Sequence, residues 1–449
     1  MPRTVKKRTP FAEPFRPGCQ NGHSMPTLAR AFALGLTVVF GALGCTGQPL
    51  SPSPSPNPSP SPSLASSPIP SPVPSQAPSP SLSVEAQILA VEGGVPALRG
   101  LESLAGVPNR ILDEAGLRAE LVRVVDASMT PQQFAAASRF GQRLGLLPAG
   151  LDLRQVQLDL LGEQVLGFYD DDTRVMTLVQ RGAAFGPLEK ATLAHEYTHA
   201  LQDQHFDLDS LRLDDLSNGD RAQARLALVE GDATLLTTRW AGRNLTPAEL
   251  LTLTLEGLDP AQQAVLASLP PILRRQLVFP YVDGLTFVSG LQTEGGWPAV
   301  DAAYVRPPDS TEQILHPAKY ADREQPVAVA APDESGRLGS GWSQSLSDTL
   351  GELTIDVWLA SSAGPAGAAD AAAGWGGDRV AMYEGPGGAW LIAWFTAWDS
   401  PADAMQFNAA ATAAVAPDVA WVLGAAGSST VSVVLASDPA LLERLFPAP

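Results

Sequence analysis

Cysteine is nearly absent. The 449-residue chain has two, Cys19 and Cys45, both close to its start. The remainder can build neither a disulfide framework nor a thiolate metal site, so any metal there must be held by His, Asp or Glu. Histidine is scarce too, with five in the whole chain. Basic residues are outnumbered: 29 Lys and Arg stand against 47 Asp and Glu, a formal net charge of −18. Residues 1–44 hold six of the bases and one acid, which leaves 23 against 46 beyond them, or −23. Such a surplus argues against nucleic acid as a partner and against adsorption to anionic lipid by charge. Long apolar runs are also missing. Ala31 to Leu43 is the one apolar stretch of the leader, and it is too short to cross a membrane comfortably.

What is present begins with that leader. Residues 1–44 are expected to be a secretion signal, with Arg30 as its positive flank and Met25 a more ordinary start than Met1. The run Gly41-Ala42-Leu43-Gly44-Cys45 resembles the lipobox of bacterial lipoproteins, with Ala42 where Leu is usual. The resemblance implies cleavage before Cys45, acylation of its thiol and a lipid anchor at the cell surface. A plain signal peptide, leaving a secreted protein, is the alternative. Residues 45–83 follow as a linker, and 51–82 are almost all Ser and Pro. No core forms from such a composition. An extended polyproline II rod is expected, at ~3.1 Å per residue long enough to span roughly 100 Å.

The chemistry concentrates in Ala194-His195-Glu196-Tyr197-Thr198-His199-Ala200. Gly186-Pro187 marks a helix start ahead of it. On a helix, His195 and His199 lie one above the other and can present two imidazole nitrogens to one tetrahedral zinc. Glu196 is turned by about 100° and can instead reach a water beside the metal. Apolar residues surround the histidines on nearly every side, the mark of a buried helix.

A catalytic zinc needs a third protein ligand and an open position. Glu230 sits on an apolar stripe of a second helix expected from about Asp220 to Trp240, where a buried carboxylate needs a cation. Gly231 beside it suggests a close approach of two helices. His205 is the other candidate, because His195, His199 and His205 have metzincin spacing. Gln202 stands where that pattern needs Gly, and the first Met after His205 is Met382.

His195-Glu196-Tyr197-Thr198-His199 with Glu230 in Val229-Glu230-Gly231-Asp232-Ala233 resembles the gluzincin metallopeptidases, the thermolysin-like group of zincins. The likeness covers about 45 residues. It implies a zinc ion on His195, His199 and Glu230, Glu196 as general base, and a peptide or protein substrate. It also implies a sheet edge strand before the zinc helix, to which the substrate chain adds. Thr234 stands where that group carries an Asp that orients a histidine, so Asp203 and Asp232 are the carboxylates left for the task.

The remaining chain reads as α+β. A mainly helical, zincin-like domain is expected over 84–325 and a smaller α+β unit over 326–449. Val107 to Leu112 is an expected strand, Asp113 and Thr130 are expected helix caps, and 166–178 is an expected hairpin around Asp170-Asp171-Asp172. Residues 246–296 read as helices. His316, with Tyr320 as an alternative, is the expected donor to the oxyanion of a tetrahedral intermediate. Hairpins are expected at 379–398 and 418–436. Trp375, Trp390, Trp394 and Trp398 are candidates for a binding face, though Trp at alternate strand positions is more often core packing. Two further functions stay open: a non-catalytic surface-binding lipoprotein with a structural metal, and a zinc hydrolase of a non-peptide substrate.

Overall fold

The computed structural model describes residues 83–179, 185–416, 419–424 and 428–445. Cys19, Cys45 and the Ser/Pro tract up to residue 82 lie outside the described residues. The described chain is mainly helical with two small sheets, an α+β arrangement.

It starts with α1 (Val84–Arg99), β1 (Asn109–Leu112), α2 (Glu114–Ser128), α3 (Pro131–Leu144) and α4 (Leu153–Gln164). Ser83, Asp113, Thr130 and Asp152 each turn a side-chain oxygen onto free N–H groups of the first turn. These caps are why the helices begin where the sequence expects. Strands β2 (Gly167–Asp170) and β3 (Val175–Val179) form the expected hairpin. β3 is central, antiparallel to β2 and parallel to β1, so β2 is an edge strand.

Next come α5 (Pro187–Phe206), α6 (Gly219–Asn244), α7 (Pro247–Gly257), α8 (Pro260–Ser268) and α9 (Pro271–Val305). α9 is broken at Gly296, where φ is 68°. Every residue of α5 from Ala191 to Gln202 is buried, as an all-round apolar pattern requires. α6 crosses α9 at a pair of glycines. A Cβ on Gly231 would collide with the Gly284 carbonyl, and one on Gly284 with the Ala227 carbonyl. The close approach suggested by Gly231 is therefore real, and Gly284 is its unforeseen counterpart. Short helices α10 (Thr311–Leu315) and α11 (Pro317–Ala321) follow.

The C-terminal part holds α12 (Ser335–Leu338), β4 (Ser343–Asp348), α13 (Gly351–Ala372), β5 (Trp375–Glu384), β6 (Trp390–Trp398), α14 (Pro401–Ala414), β7 (Ala420–Gly424), β8 (Thr430–Ala436) and α15 (Pro439–Leu445). Its strands make one antiparallel sheet in the order β4-β5-β6-β8-β7. Alternate residues of a strand face opposite sides. Val380, Met382, Ile392 and Trp394 pack with Ile355 and Phe407 of α13 and α14. Ala381, Tyr383, Leu391 and Ala393 pack with Leu338 and Leu441 of α12 and α15. Both faces are covered, so β5 and β6 read as continuous apolar runs. Trp375, Trp394 and Trp398 are buried in the first core. That core also takes in Ala136, Phe140 and Leu144 of α3, and the Trp358 indole donates to the Leu144 carbonyl at 2.9 Å. Packing thus runs without a break across residue 326. Among the described residues no helix is long and apolar enough to cross a membrane.

Candidate metal centre

α5 and α6 bring three side chains to one point. The ligand atoms of His195, His199 and Glu230 all lie within 4.8 Å of one another. Glu230 Oε2 is 3.1 Å from His195 Nε2 and 3.6 Å from His199 Nε2. The two imidazoles meet edge to face, with centroids 4.7 Å apart. All three residues are buried.

Hydrogen bonds behind the rings fix their tautomers. The Thr237 hydroxyl donates to the Ala233 carbonyl at 2.8 Å, so toward His195 Nδ1, at 3.4 Å, it acts as acceptor. Gln202 Nε2 donates to the Val229 carbonyl and to Asp232 Oδ2, each at 3.0 Å. Its Oε1 therefore accepts from His199 Nδ1 at 2.8 Å. Both histidines thus donate from Nδ1, and both Nε2 atoms are turned toward Glu230, the side on which a cation would take their lone pairs. His199 Nε2 has no hydrogen-bond partner among the described residues. Two imidazole nitrogens and one carboxylate, converging and supported from behind, fit a divalent metal.

The charges tell the same story. Burial works against charge on Glu230, but the flanking imidazoles outweigh it and bring the carboxyl down to about 2. Burial likewise opposes a charged His199, and Glu230 overrides it, up to about 9. Burial lowers His195. Glu196 is different. Its Oε2 accepts the Tyr169 N–H at 3.0 Å, while Oε1 is buried with no partner among the described residues. Burial pushes this carboxyl up to about 8.

A cavity of about 80 Å³ opens beside the cluster. Glu196, His199 and Glu230 line it with Leu213, Leu226 and Val229, and Arg123, Asp170, Asp171 and Asp172 reach it from the Asp-rich turn side. Tyr169 lies on the edge strand β2, and the N–H bonded to Glu196 is the one turned away from β3. The amide that an added substrate strand needs at that position is therefore already engaged.

The other sequence candidates fall elsewhere. His205 Nε2 bonds the Glu102 carbonyl at 2.7 Å and is not part of the cluster. Asp203 accepts from the Tyr169 hydroxyl at 2.9 Å and does not reach a histidine. Asp232 acts on His199 through Gln202, and its own charge is met by Arg99 at 2.8 Å and the Tyr304 hydroxyl at 2.9 Å. His316 needs correction. Its Nε2 is paired with Glu352 Oε1 at 2.8 Å, because the turn between α10 and α11 packs on α13. Neither it nor Tyr320, whose hydroxyl donates to the Arg306 carbonyl, lines the cavity. Tyr281 of α9 is the hydroxyl that does approach. Its ring centroid is 6.3 Å from that of His195, its hydroxyl is buried facing Glu230 and Glu196, and burial with those carboxylates pushes its pKa upward.

Gln202, Thr237, Arg99 and Tyr281 were not singled out as supports in the sequence. Gln202 alone had a local signal, since it lies three residues after His199 on the same helix face. A second acidic group, Glu312, Glu324 and Asp399, also has metal-like spacing. The Lys319 ammonium already fills it, at 2.5, 2.9 and 2.6 Å from the three carboxylates.

No curated protein and no solved structure matches the chain. Residues 338–439 match the model of a domain of unknown function, DUF8575, which takes in the five-stranded sheet with α13 and α14 and lies wholly outside the metal cluster.

Proposed function

We propose that the chain is a zinc-dependent hydrolase of peptide bonds, zincin-like in its site and anchored at a bacterial surface through an acylated Cys45. One observation carries the reading. His195, His199 and Glu230 converge beside a cavity into which Glu196 brings an unpartnered oxygen. Zinc, when bound there, supplies Lewis-acid polarisation of a carbonyl and makes a water more acidic.

The chain's own residues do the rest. His195 and His199 present Nε2, held in place by Thr237 and Gln202. Glu196 handles the proton. Tyr169 pins its Oε2, so Oε1 takes the proton of the attacking water and returns it to the departing amine nitrogen. The upward push that burial exerts on this carboxyl suits a group that must hold a proton between those steps. Leu213, Leu226 and Val229 offer an apolar wall to a side chain next to the scissile bond. The Ser/Pro tract acts as the spacer between membrane and domain.

Glu196→Gln should keep the metal and lose peptide hydrolysis by about 10²–10⁴-fold. Metal content by elemental analysis and cleavage of a peptide library check both halves. Full activity in that variant would end the mechanism. Ester substrates run in parallel separate a peptidase from a hydrolase of other bonds. The reading with a closed structural metal needs a fourth protein ligand, and the bond of His205 to Glu102 lends it no support.

A further inference from the structure

A second cavity, whose lining includes none of His195, His199, Glu230 and Glu196, lies where α3, the first turns of α6, α9 and β4 meet. Its outer chamber is about 380 Å³, and an inner one of about 170 Å³ shares Leu153, Leu273 and Leu346 with it. The pair falls in the size range of small-molecule sites, roughly 300–1,000 Å³. Gln133 and Leu216 at the outer chamber are exposed, so it is open to solvent. The inner chamber ends on Asp220, Thr311 and Leu350, all buried.

Asp220 is the unusual feature. It is 2% exposed. Its Oδ1 is saturated by the Thr311 N–H at 3.0 Å and the Thr311 hydroxyl at 2.5 Å. Its Oδ2 has no partner among the described residues. Asp348 shares the chamber, with its Oδ1 taking the Gly219 and Thr349 N–H groups at 2.7 Å. No Lys or Arg lines either chamber. Asp215, in the outer one, is matched by Arg221. Arg379, whose charge reaches Asp348, is bonded to the Ser217 carbonyl. The neighbouring acids have their own partners. Asp378 takes the Leu350 and Gly351 amides and the Trp375 and Trp394 indoles, and Glu352 takes His316.

A buried carboxylate without a counter-charge is costly, and the two adjoining chambers, which share Leu153, Leu273 and Leu346 beside Gln223, Gln276 and Asp348, extend from exposed Gln133 and Leu216 to this one. We propose that the cavity binds a small organic cation, an aliphatic body ending in an ammonium or guanidinium that meets Asp220 Oδ2. The body lies along Leu153, Leu273 and Leu346, and the charged end displaces the need for a proton on Asp220. The occupant would touch Gln223, two turns before Glu230 on the same helix, yet its binding requires none of the metal chemistry.

The test is calorimetric titration of the full chain with hexylammonium and hexylguanidinium, with hexanol and hexanoate as controls. The expected result is saturable binding of one cation per chain, weakened at least tenfold for hexanol and absent for hexanoate. Asp220→Asn keeps the shape and the Thr311 bonds, and should weaken the cation at least tenfold. Ala137→Trp obstructs both chambers from their partly exposed wall, and should abolish binding should the Asn variant fail to fold. Absence of saturable binding by both cations, hexanol binding as well as hexylammonium, or unchanged affinity in the folded variants would overturn the proposal.

Discussion

At the scale of single residues, the site depends on what stands behind the ligands. Gln202 carries Asp232's charge to His199 while keeping a neutral amide against the ring. Gln202→Leu removes the acceptor for the Nδ1 proton and cuts the link from His199 to Asp232, whose Oδ2 keeps Arg99 and Tyr304 as partners. Metal affinity should drop by about 10–100-fold, the usual cost of losing such a support. A chelator competition measures it directly, without reference to turnover. The three side chains that cluster were legible because their signals are local. His195 and His199 are one helical turn apart, and Glu230 stood out as a carboxylate on an apolar stripe. Arg99 and Tyr281 were not legible. The first lies 133 residues before Asp232, and the second on a helix whose crossing angle no short motif encodes. The placement of His316 was hidden for the same reason: Glu352, its partner, belongs to a later helix that no short motif brings near.

At the scale of elements, the decisive contact is α6 against α9. Helices packed through ordinary side chains stand about 8–10 Å apart. The Gly231 and Gly284 pair removes that layer of side chains, and Glu230 is adjacent to it. Gly231→Ala or Gly284→Ala puts a methyl into a backbone carbonyl of the opposite helix, where no rotamer change can relieve it. Each should destabilise by at least about 1–3 kcal/mol, the common cost of overpacking. Glu230 should also be driven off its position. Chemical denaturation and metal stoichiometry would fall together, whereas a Gly242→Ala control, with open space at its Cβ, should leave both intact. Some helix starts were readable, because Asp113 and Thr130 are caps with a local mechanism, whereas α13 begins without a side-chain cap and was not expected. Pairing between strands was readable only inside hairpins. The parallel match of β1 with β3 joins Arg110 to Thr177, and nothing nearby in sequence announces it.

At the scale of the whole molecule, buried acids gather where the two parts of the chain meet. Burial pushes Asp220 up to about 8 and Asp348 up to about 7, from ordinary values near 4. Between those limits the ligand-free folded chain holds protons that the unfolded chain has released. Their stabilising contribution is complete below about pH 4 and is lost as the pH climbs through 7 to 8. Thermal unfolding followed from pH 5 to 8.5 should therefore show a falling midpoint, and Asp220→Asn should flatten the slope. A slope unchanged by that substitution would remove Asp220 from the account. Only the thinning of chemistry-bearing residues beyond about residue 326 was readable in the sequence. The insertion of α3 into the C-terminal core was not, since Phe140 and Leu144 look like any amphipathic helix until their partners are known. A last consequence follows from Arg99. Its guanidinium closes α1 and is wholly desolvated against Asp232, and the next exposed stretch begins at residue 102. A protease that trims the chain there spares His195, Glu196, His199 and Glu230, yet removes the cation that neutralises Asp232. Shedding the domain by a cut at this joint should release a form that no longer retains its metal, whereas a cut inside the Ser/Pro tract should release an active one; mass spectrometry of the shed fragments beside their zinc content tells the two apart.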